Sequence, residues 1–392
     1  MEKIKVKKIR MDSGAYLEIE SVSRFLDNVE YIDEEPKTQK FWYEVAFYGA
    51  DVKDFWKFNN PHTGFETKQI IPALLRKQAR LAVCYMREYP FEHNEWVQMQ
   101  SRIGLDAWGN FGIDPKQIYF FYGNPADHLE FTKKIDVTPN IVEVPYFEVD
   151  FVHRALKEEI EYVTPYEAER KNPSRTFLDL NGKPAKHNRL RHVAHLWNRK
   201  LIDKGIINLF ETEEDKRLYT KYDYYQLIKD ILNGNSWDKF YEWWPQSHDN
   251  KVGLYGKHHS GYPYDKKLFL DTFMSLVAET HSGYGGCNSE FFVSEKIIKA
   301  VGNAHPFIIL SSHKFLEKFK ELGYKTFDPY INEEYDNESD PELRLVKAID
   351  QIAHMCTNGV PVKALEIALH NQKVLFERYH KAIKKIKHIM KD

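Results

Sequence analysis

An α/β fold, built as two doubly wound halves with a cleft between them, is what this sequence predicts, and three observations carry the prediction. Short apolar runs, such as residues 80–86 (RLAVCYM) and 117–122 (QIYFFY), alternate with helical segments. That alternation marks a parallel sheet covered on both faces. It stops in a charged, Pro-containing stretch at residues 164–175 (TPYEAERKNPSR), which reads as an interdomain linker, and then begins again. A length of 392 residues suffices for two such domains.

The elements follow in order. In the first half, 41–48 reads as a strand, 68–76 as a short helix, 80–86 as a buried strand and 95–109 as a helix. A second buried strand, 117–122, ends at Gly123-Asn124, and a third apolar piece follows at 140–144. In the second half, 176–180 reads as a strand, 188–204 as a helix and 206–210 as a strand, before a polar, aromatic-rich insertion over 212–265. Residues 268–279 read as a strand, 295–301 as a helix start, 305–310 as a strand, 314–322 as a helix, 332–340 as an acidic loop and 341–356 as a helix. Leu365, Leu369, Leu375, Tyr379, Ile383 and Ile386 recur at three-to-four spacing, which gives an amphipathic helix with a basic outer face. The expected domains are 1–168, 174–360 and a terminal helix over 361–392.

Composition narrows the function. Lys plus Arg number 56 against 58 Asp plus Glu, so no global basic charge points to nucleic acid. Three cysteines without metal-like spacing argue against a disulfide framework or a zinc cluster and fit a reducing cytoplasm. The basic N-terminus lacks the apolar run of a signal peptide, and no stretch reaches the roughly 18 apolar residues of a membrane span. Aromatic residues make up 15% of the chain; such rings fill cores and also stack on flat ligands.

Four segments are candidates for chemistry. In residues 289–296 (SEFFVSEK) an extended apolar piece delivers Glu295 and Lys296 to a helix start, with Glu290 and Ser294 before them. Helix N-termini favour phosphate; Lys296 there suits a diphosphate and Glu295 suits ribose hydroxyls. The same residues also read as a plain cap, with Ser294 as N-cap and Glu295 in the first turn. In residues 177–191 a strand ends in Asn181-Gly182 and a loop carrying Lys183 leads to Arg189 and Arg191 on a helix. Ligands of open α/β sheets bind beyond strand carboxyl ends, and an arginine fork suits phosphate; a solvated basic helix face is the alternative. Residues 81–89 place Arg87-Glu88 beyond an apolar strand, where Glu88 is either a general base or half of a surface ion pair. Residues 119–124 (YFFYGN) end a strand in a turn that lines the same cleft or merely closes it. No P-loop, G-x-G-x-x-G or H-E-x-x-H pattern occurs.

Two runs, FFVSEKIIKAVGNAHPFIIL and LEKFKELGYKTFDPYINEEYD, resemble the C-terminal half of glycosyltransferase-like proteins of tailed bacteriophages. Tyr324 stands where that pattern has Phe, and Asn332 where it has Asp. The run FLDLNGKPAKHNRLRHVAHLWNRKLIDKGIINLF resembles the family's strand, basic loop and helix, with Asn181-Gly182-Lys183 in place of Asn-Arg-x-x-Arg. The segments IPALLRKQARLAVCYMREYPF and QIYFFYGN resemble its N-terminal half, so the likeness spans about residues 68–355. More distantly, the strand followed by Ser-Glu-Lys is similar to that of α-1,3-fucosyltransferases, which have the GT-B fold and invert configuration.

The resemblance implies a GT-B-like pair of Rossmann-like domains, a UDP- or GDP-sugar as donor and no required cofactor or metal. It implies that Glu295 meets the ribose, that Lys296 with Arg189 or Arg191 holds the diphosphate, and that Glu88 is the base. Asn181, Lys183, Glu290 and Ser294 complete the donor-binding set. Two acceptors stay open: a glycan, or a hydroxymethylated pyrimidine in phage DNA, which would place the enzyme in the host cytoplasm. A non-catalytic protein binding a nucleotide-sugar or glycan on the same fold is the alternative from another class.

Overall fold

A computed structural model describes residues 3–8, 21–46, 67–85, 112–123, 140–182, 187–210, 217–244, 265–279, 282–283 and 291–391. The chain divides into two compact units, one made of residues 1–150 and 378–392, the other of residues 151–377. Both are α/β units, and every strand pairing among the described residues is parallel. Among the described residues, no helix is long and apolar enough to cross a membrane.

Among the described residues the first unit has six strands: β1 (Ile4–Lys8), β2 (Val29–Tyr31), β3 (Phe41–Ala46), β4 (Ala79–Tyr85), β5 (Ile118–Tyr122) and β6 (Asn140–Glu143). Their spatial order is β2-β1-β3-β4-β5-β6, which reverses direction between β1 and β3 as doubly wound sheets do. Leu81, Ala82, Val83, Cys84, Phe120 and Phe121 are all buried, on both faces of the sheet, which is why these strands read as continuous apolar runs. Helix α1 (Thr67–Leu75) precedes β4. The expected helix at 95–109, the Gly123-Asn124 turn beyond Gly123, and Glu88 lie outside the described residues.

Helix α2 (Tyr146–Leu156) carries the chain from one unit to the other, the division falling between Asp150 and Phe151. The expected linker is therefore not a linker. Thr164 starts a short helix, α3 (Pro165–Arg170), through a reciprocal cap in which Thr164 Oγ1 accepts the Glu167 N–H and Glu167 Oε2 accepts the Thr164 N–H at 2.9 Å. Pro165, Glu167, Glu169 and Arg170 are residues of a capped helix within the second unit.

The second sheet has the strands β7 (Arg175–Gly182), β8 (Gly205–Phe210), β9 (Thr272–Ala278) and β10 (Phe307–Leu310), in the order β10-β9-β7-β8. The order again reverses, here between β7 and β9. Helix α4 (His187–Asn198) follows β7, and two helices, α5 (Lys221–Ile228) and α6 (Gly234–Trp243), follow β8. Part of the aromatic-rich insertion is thus core. Trp197 and Phe240 lie 5.6 Å apart, Tyr224 and Trp244 4.9 Å, and the Trp244 indole donates to the Leu209 carbonyl at 3.0 Å. The expected strand over 268–279 splits: α7 (Lys267–Leu270) ends at Asp271, and only then does β9 start.

Helix α8 (Glu295–Gly302) follows β9 in the chain, and α9 (Phe315–Glu321) follows β10. The acidic segment at 332–340 holds a turn of 3-10 helix, Glu333–Asn337, rather than loop alone. Helices α10 (Pro341–Asn358) and α11 (Ala364–Lys391) close the chain. Residues of α11 up to Glu377 belong to the second unit, where Gln372 donates to the carbonyls of Val163 and Gly302 at 2.8 and 2.7 Å. From Arg378 onward they belong to the first, where Arg378 pairs with Glu148 at 2.6 Å and the Trp42 indole donates to the Met390 carbonyl at 2.9 Å.

Gly302 lets α8 approach α2. A Cβ there would lie 2.2 Å from Cζ of the fully buried Phe151. Gly302→Ala is expected to destabilise the protein by about 1–3 kcal/mol, the cost of overpacking. A lower urea midpoint at unchanged slope checks it.

Candidate functional site

In an open parallel sheet, ligands bind beyond the carboxyl ends of the strands where the order reverses. In the second unit that place lies beyond β7 and β9, and it holds a cluster of buried polar side chains. Glu279 directly follows β9 and is fully buried. Its N–H donates to the Leu310 carbonyl at 2.9 Å, and its own carbonyl accepts Asn188 Nδ2 at 2.6 Å. Asn188, in the first turn of α4, thereby ties the helix after β7 to the end of β9.

The Glu279 carboxylate accepts the Ser294 hydroxyl, with Oγ 2.7 and 2.6 Å from its two oxygens. Ser294 is also the N-cap of α8, where its oxygen accepts the Lys296 N–H at 3.1 Å. One hydroxyl so fixes the helix start and the buried acid together. Lys296 Nζ lies 2.9 Å from Glu295 Oε1 and 3.5 Å from Glu279 Oε2, with 15% of its side chain exposed. Lys299, one turn further along α8, is buried. Arg189 is buried too, and its charge acts on both Glu279 and Lys299.

The cluster thus gathers three cationic side chains, Arg189, Lys296 and Lys299, around two carboxylates. Burial pushes the Glu279 carboxyl up, and Lys296 opposes that push. Burial also acts to raise Glu295, but Lys296 and Lys299 outweigh it and hold its carboxyl down at about 2. Lys299 is lowered by burial to about 8, against the pull of Glu295. The second oxygen of the Glu295 carboxylate, Oε2, is buried and accepts no hydrogen bond from the described residues. An ionised carboxylate oxygen shielded from water and left unsatisfied is costly unless a donor arrives. A bound hydroxyl would supply one.

Lys299 makes any anion binding here pH-dependent. Its folded pKa of about 8 lies below the ordinary lysine value, so the charge is lost as pH rises through that point. A nucleotide diphosphate, titrated by calorimetry, is expected to bind several-fold more weakly at pH 9 than at pH 7. The decline should be absent in Lys299→Met.

A second buried group stands behind the first. His192 bridges the Asn188 carbonyl, 3.0 Å from Nδ1, and the Asp179 carboxylate, 2.9 Å from Nε2. Asn181 Nδ2 donates to Asp179 at 2.6 Å, and its Oδ1 is buried with no partner among the described residues. This chain of side chains locks the end of β7 to the first turns of α4.

Of the residues expected from sequence, Ser294, Glu295, Lys296 and Arg189 fall in the cluster, and Asn181 lies beside it. Arg191 does not join them. Its guanidinium holds Asp230 at 2.9 and 2.6 Å, Glu342 at 3.0 and 2.7 Å, and the Leu227 carbonyl at 2.6 Å. It fastens α4 to the end of α5 and to α10. Lys183, Glu290 and Glu88 lie outside the described residues. Glu279, Lys299, Asp179 and His192 were not singled out by the sequence reading. A signal existed for three of them: Asp179 and Glu279 are lone acids in or ending apolar runs (FLDL, SLVAE), and Lys299 lies one helical turn from Glu295.

Comparison of the chain with protein-family models, with curated proteins and with solved structures gives no match.

Proposed function

We propose that the chain is a glycosyltransferase whose second unit holds a nucleotide-sugar at the start of α8. The observation that carries the reading is the unsatisfied Glu295 Oε2 beside Lys296, within a cluster where cations outnumber carboxylates. A ribose supplies hydroxyl donors to the first, and a diphosphate supplies anionic oxygens to the second. The helix N-terminus adds the positive end of its dipole.

The chemistry follows from charge. Breaking the bond from the anomeric carbon to the diphosphate builds positive charge on the sugar and negative charge on the leaving group. Lys296, Lys299 and Arg189 oppose that negative charge, and Lys296 is already held by Glu279 and Glu295, so little reorganisation is needed as it develops. Glu88, the base that the more distant likeness to α-1,3-fucosyltransferases implies, takes the proton of the acceptor hydroxyl. The GT-B arrangement, with inversion at the anomeric carbon and a glycan or hydroxymethylated pyrimidine as acceptor, belongs to the same proposal.

A thermal-shift panel of UDP-, GDP- and CMP-sugars tests it. One donor class is expected to raise the melting temperature, by RT ln(1 + [L]/Kd) in free energy. A flat response across the panel at millimolar donor ends the reading. The second reading, a non-catalytic binding protein, predicts the same shift with no donor hydrolysis.

A further inference from the structure

A large groove of about 980 Å³ opens at the other end of the other sheet. It lies at the amino ends of the strands of the first unit, where the chain enters β1, β3 and β4 and approaches β5. That is the edge opposite to the one where parallel sheets take their small ligands. From these features we infer that the groove binds the phosphodiester backbone of a nucleic acid.

Charge is the first ground. Lys3, Lys5, Lys40, Lys77, Arg80 and Lys116 line the groove, joined by Lys391 of α11, against Glu30 and Asp114 as its acids. Among the described residues, none of those first six forms an ion pair. So many cations held together repel one another, and a concave wall on which they outnumber the acids seven to two focuses a positive field on an incoming anion.

Arg80 is the second ground. Its guanidinium lies 5.6 Å from the ring of Trp42 and 5.7 Å from that of Tyr119, and those two rings meet edge to face at 5.0 Å. The rings fix the plane of the fork. Arg80 Nη1 is buried, yet it has no acceptor among the described residues. A fixed guanidinium with a donor unmet is suited to a phosphate oxygen, which accepts from such a fork in two parallel bonds.

Reach is the third. Lys5, Lys40, Arg80 and Lys116 sit on or just before four neighbouring strands, in the order β1-β3-β4-β5. Adjacent strands are about 4.8 Å apart, so the cations spread over roughly 14 Å, more than one phosphate can span. A polymer of phosphates fits that spread. This inference stands apart from the donor reading, since no residue of the second unit takes part.

The test is fluorescence anisotropy with the full chain and labelled oligonucleotides of about 20 nucleotides, single-stranded and duplex, over a salt series. Binding is expected with log K falling steeply against log salt, at about −0.7 per phosphate neutralised for single strands and −0.9 for duplex. The surface variant Lys5→Ala/Lys40→Ala/Lys116→Ala should flatten that slope by about 2 and weaken binding at least about tenfold at low salt. Its melting temperature reports that the fold is kept. Arg80→Lys keeps the charge and loses the fork, so affinity should drop several-fold at nearly unchanged slope. Absent binding, or a slope the triple variant leaves intact, overturns the inference. So does transfer of the effect to Lys381→Ala/Lys384→Ala/Lys387→Ala on α11, or equal competition by a sulfated polysaccharide.

Discussion

Lys296→Ala is expected to abolish the donor-dependent thermal shift and to lower donor turnover by about 10²–10³-fold, the usual cost of removing one preorganised charge stabiliser. Three cations and two carboxylates meet at the start of α8, and Lys296 touches both acids, at 2.9 and 3.5 Å. Without it, the two remaining cations among the described residues of the cluster are matched in number by Glu279 and Glu295, which leaves no excess of positive charge there for a diphosphate. The same substitution removes the nearest positive charge that holds Glu295 down, so that carboxyl should rise from about 2. Stability will fall as well, because Glu279 stays buried with one charge partner fewer. Lys296→Arg separates the two effects by restoring the charge and part of the turnover. If Lys296→Ala, still folded by circular dichroism, gives a full donor shift, the donor site is elsewhere.

Glu88→Gln should lower kcat by about 10²–10⁴-fold while leaving the donor-induced rise in melting temperature intact. The substitution keeps size and polarity but removes the carboxylate proposed to take the acceptor proton, and it changes no residue of the α8 cluster. Glu88 lies outside the described residues, just beyond the end of β4, so this prediction rests on its place in the sequence and on the family resemblance. Transfer to acceptor and hydrolysis to water should fall together if Glu88 serves both as base. Turnover equal to that of the native chain would assign the base to another residue. No turnover in either protein, with donor bound, would favour the non-catalytic reading.

The fold was largely legible in the sequence because it is written in short-range patterns. The short apolar runs at β4, β5 and β10, bounded by helical segments, read as strands buried on both faces, and Ser294-Glu295-Lys296 has the chemistry of a capped helix start. The site was legible only where it is local. Glu295 and Lys296 are neighbours along the chain, whereas Glu279 meets Ser294 only because β9 leads to α8 across a long connection. Asp179 and Glu279 become partners of one site only because β7 and β9 are adjacent in the sheet, an order that periodicity does not reveal. The misread linker at 164–175 failed for another reason. Its composition is that of a connection, but the Thr164–Glu167 pair turns it into a helix. Arg191 looked like Arg189 in sequence; two positions along a helix are about 200° apart, so one faces the acids at the sheet edge and the other faces Asp230 and Glu342.

The first unit is completed by the final stretch of α11, from Arg378 on. During synthesis the ribosome must therefore deliver the whole of residues 151–377 before that unit can acquire its last packing partner. The second unit can assemble first, with the amino-terminal sheet waiting half-formed and its apolar strands in need of protection. Loss of the final turns of the chain would then injure the part made earliest, through the Trp42–Met390 and Glu148–Arg378 bonds, and leave the part made in between intact.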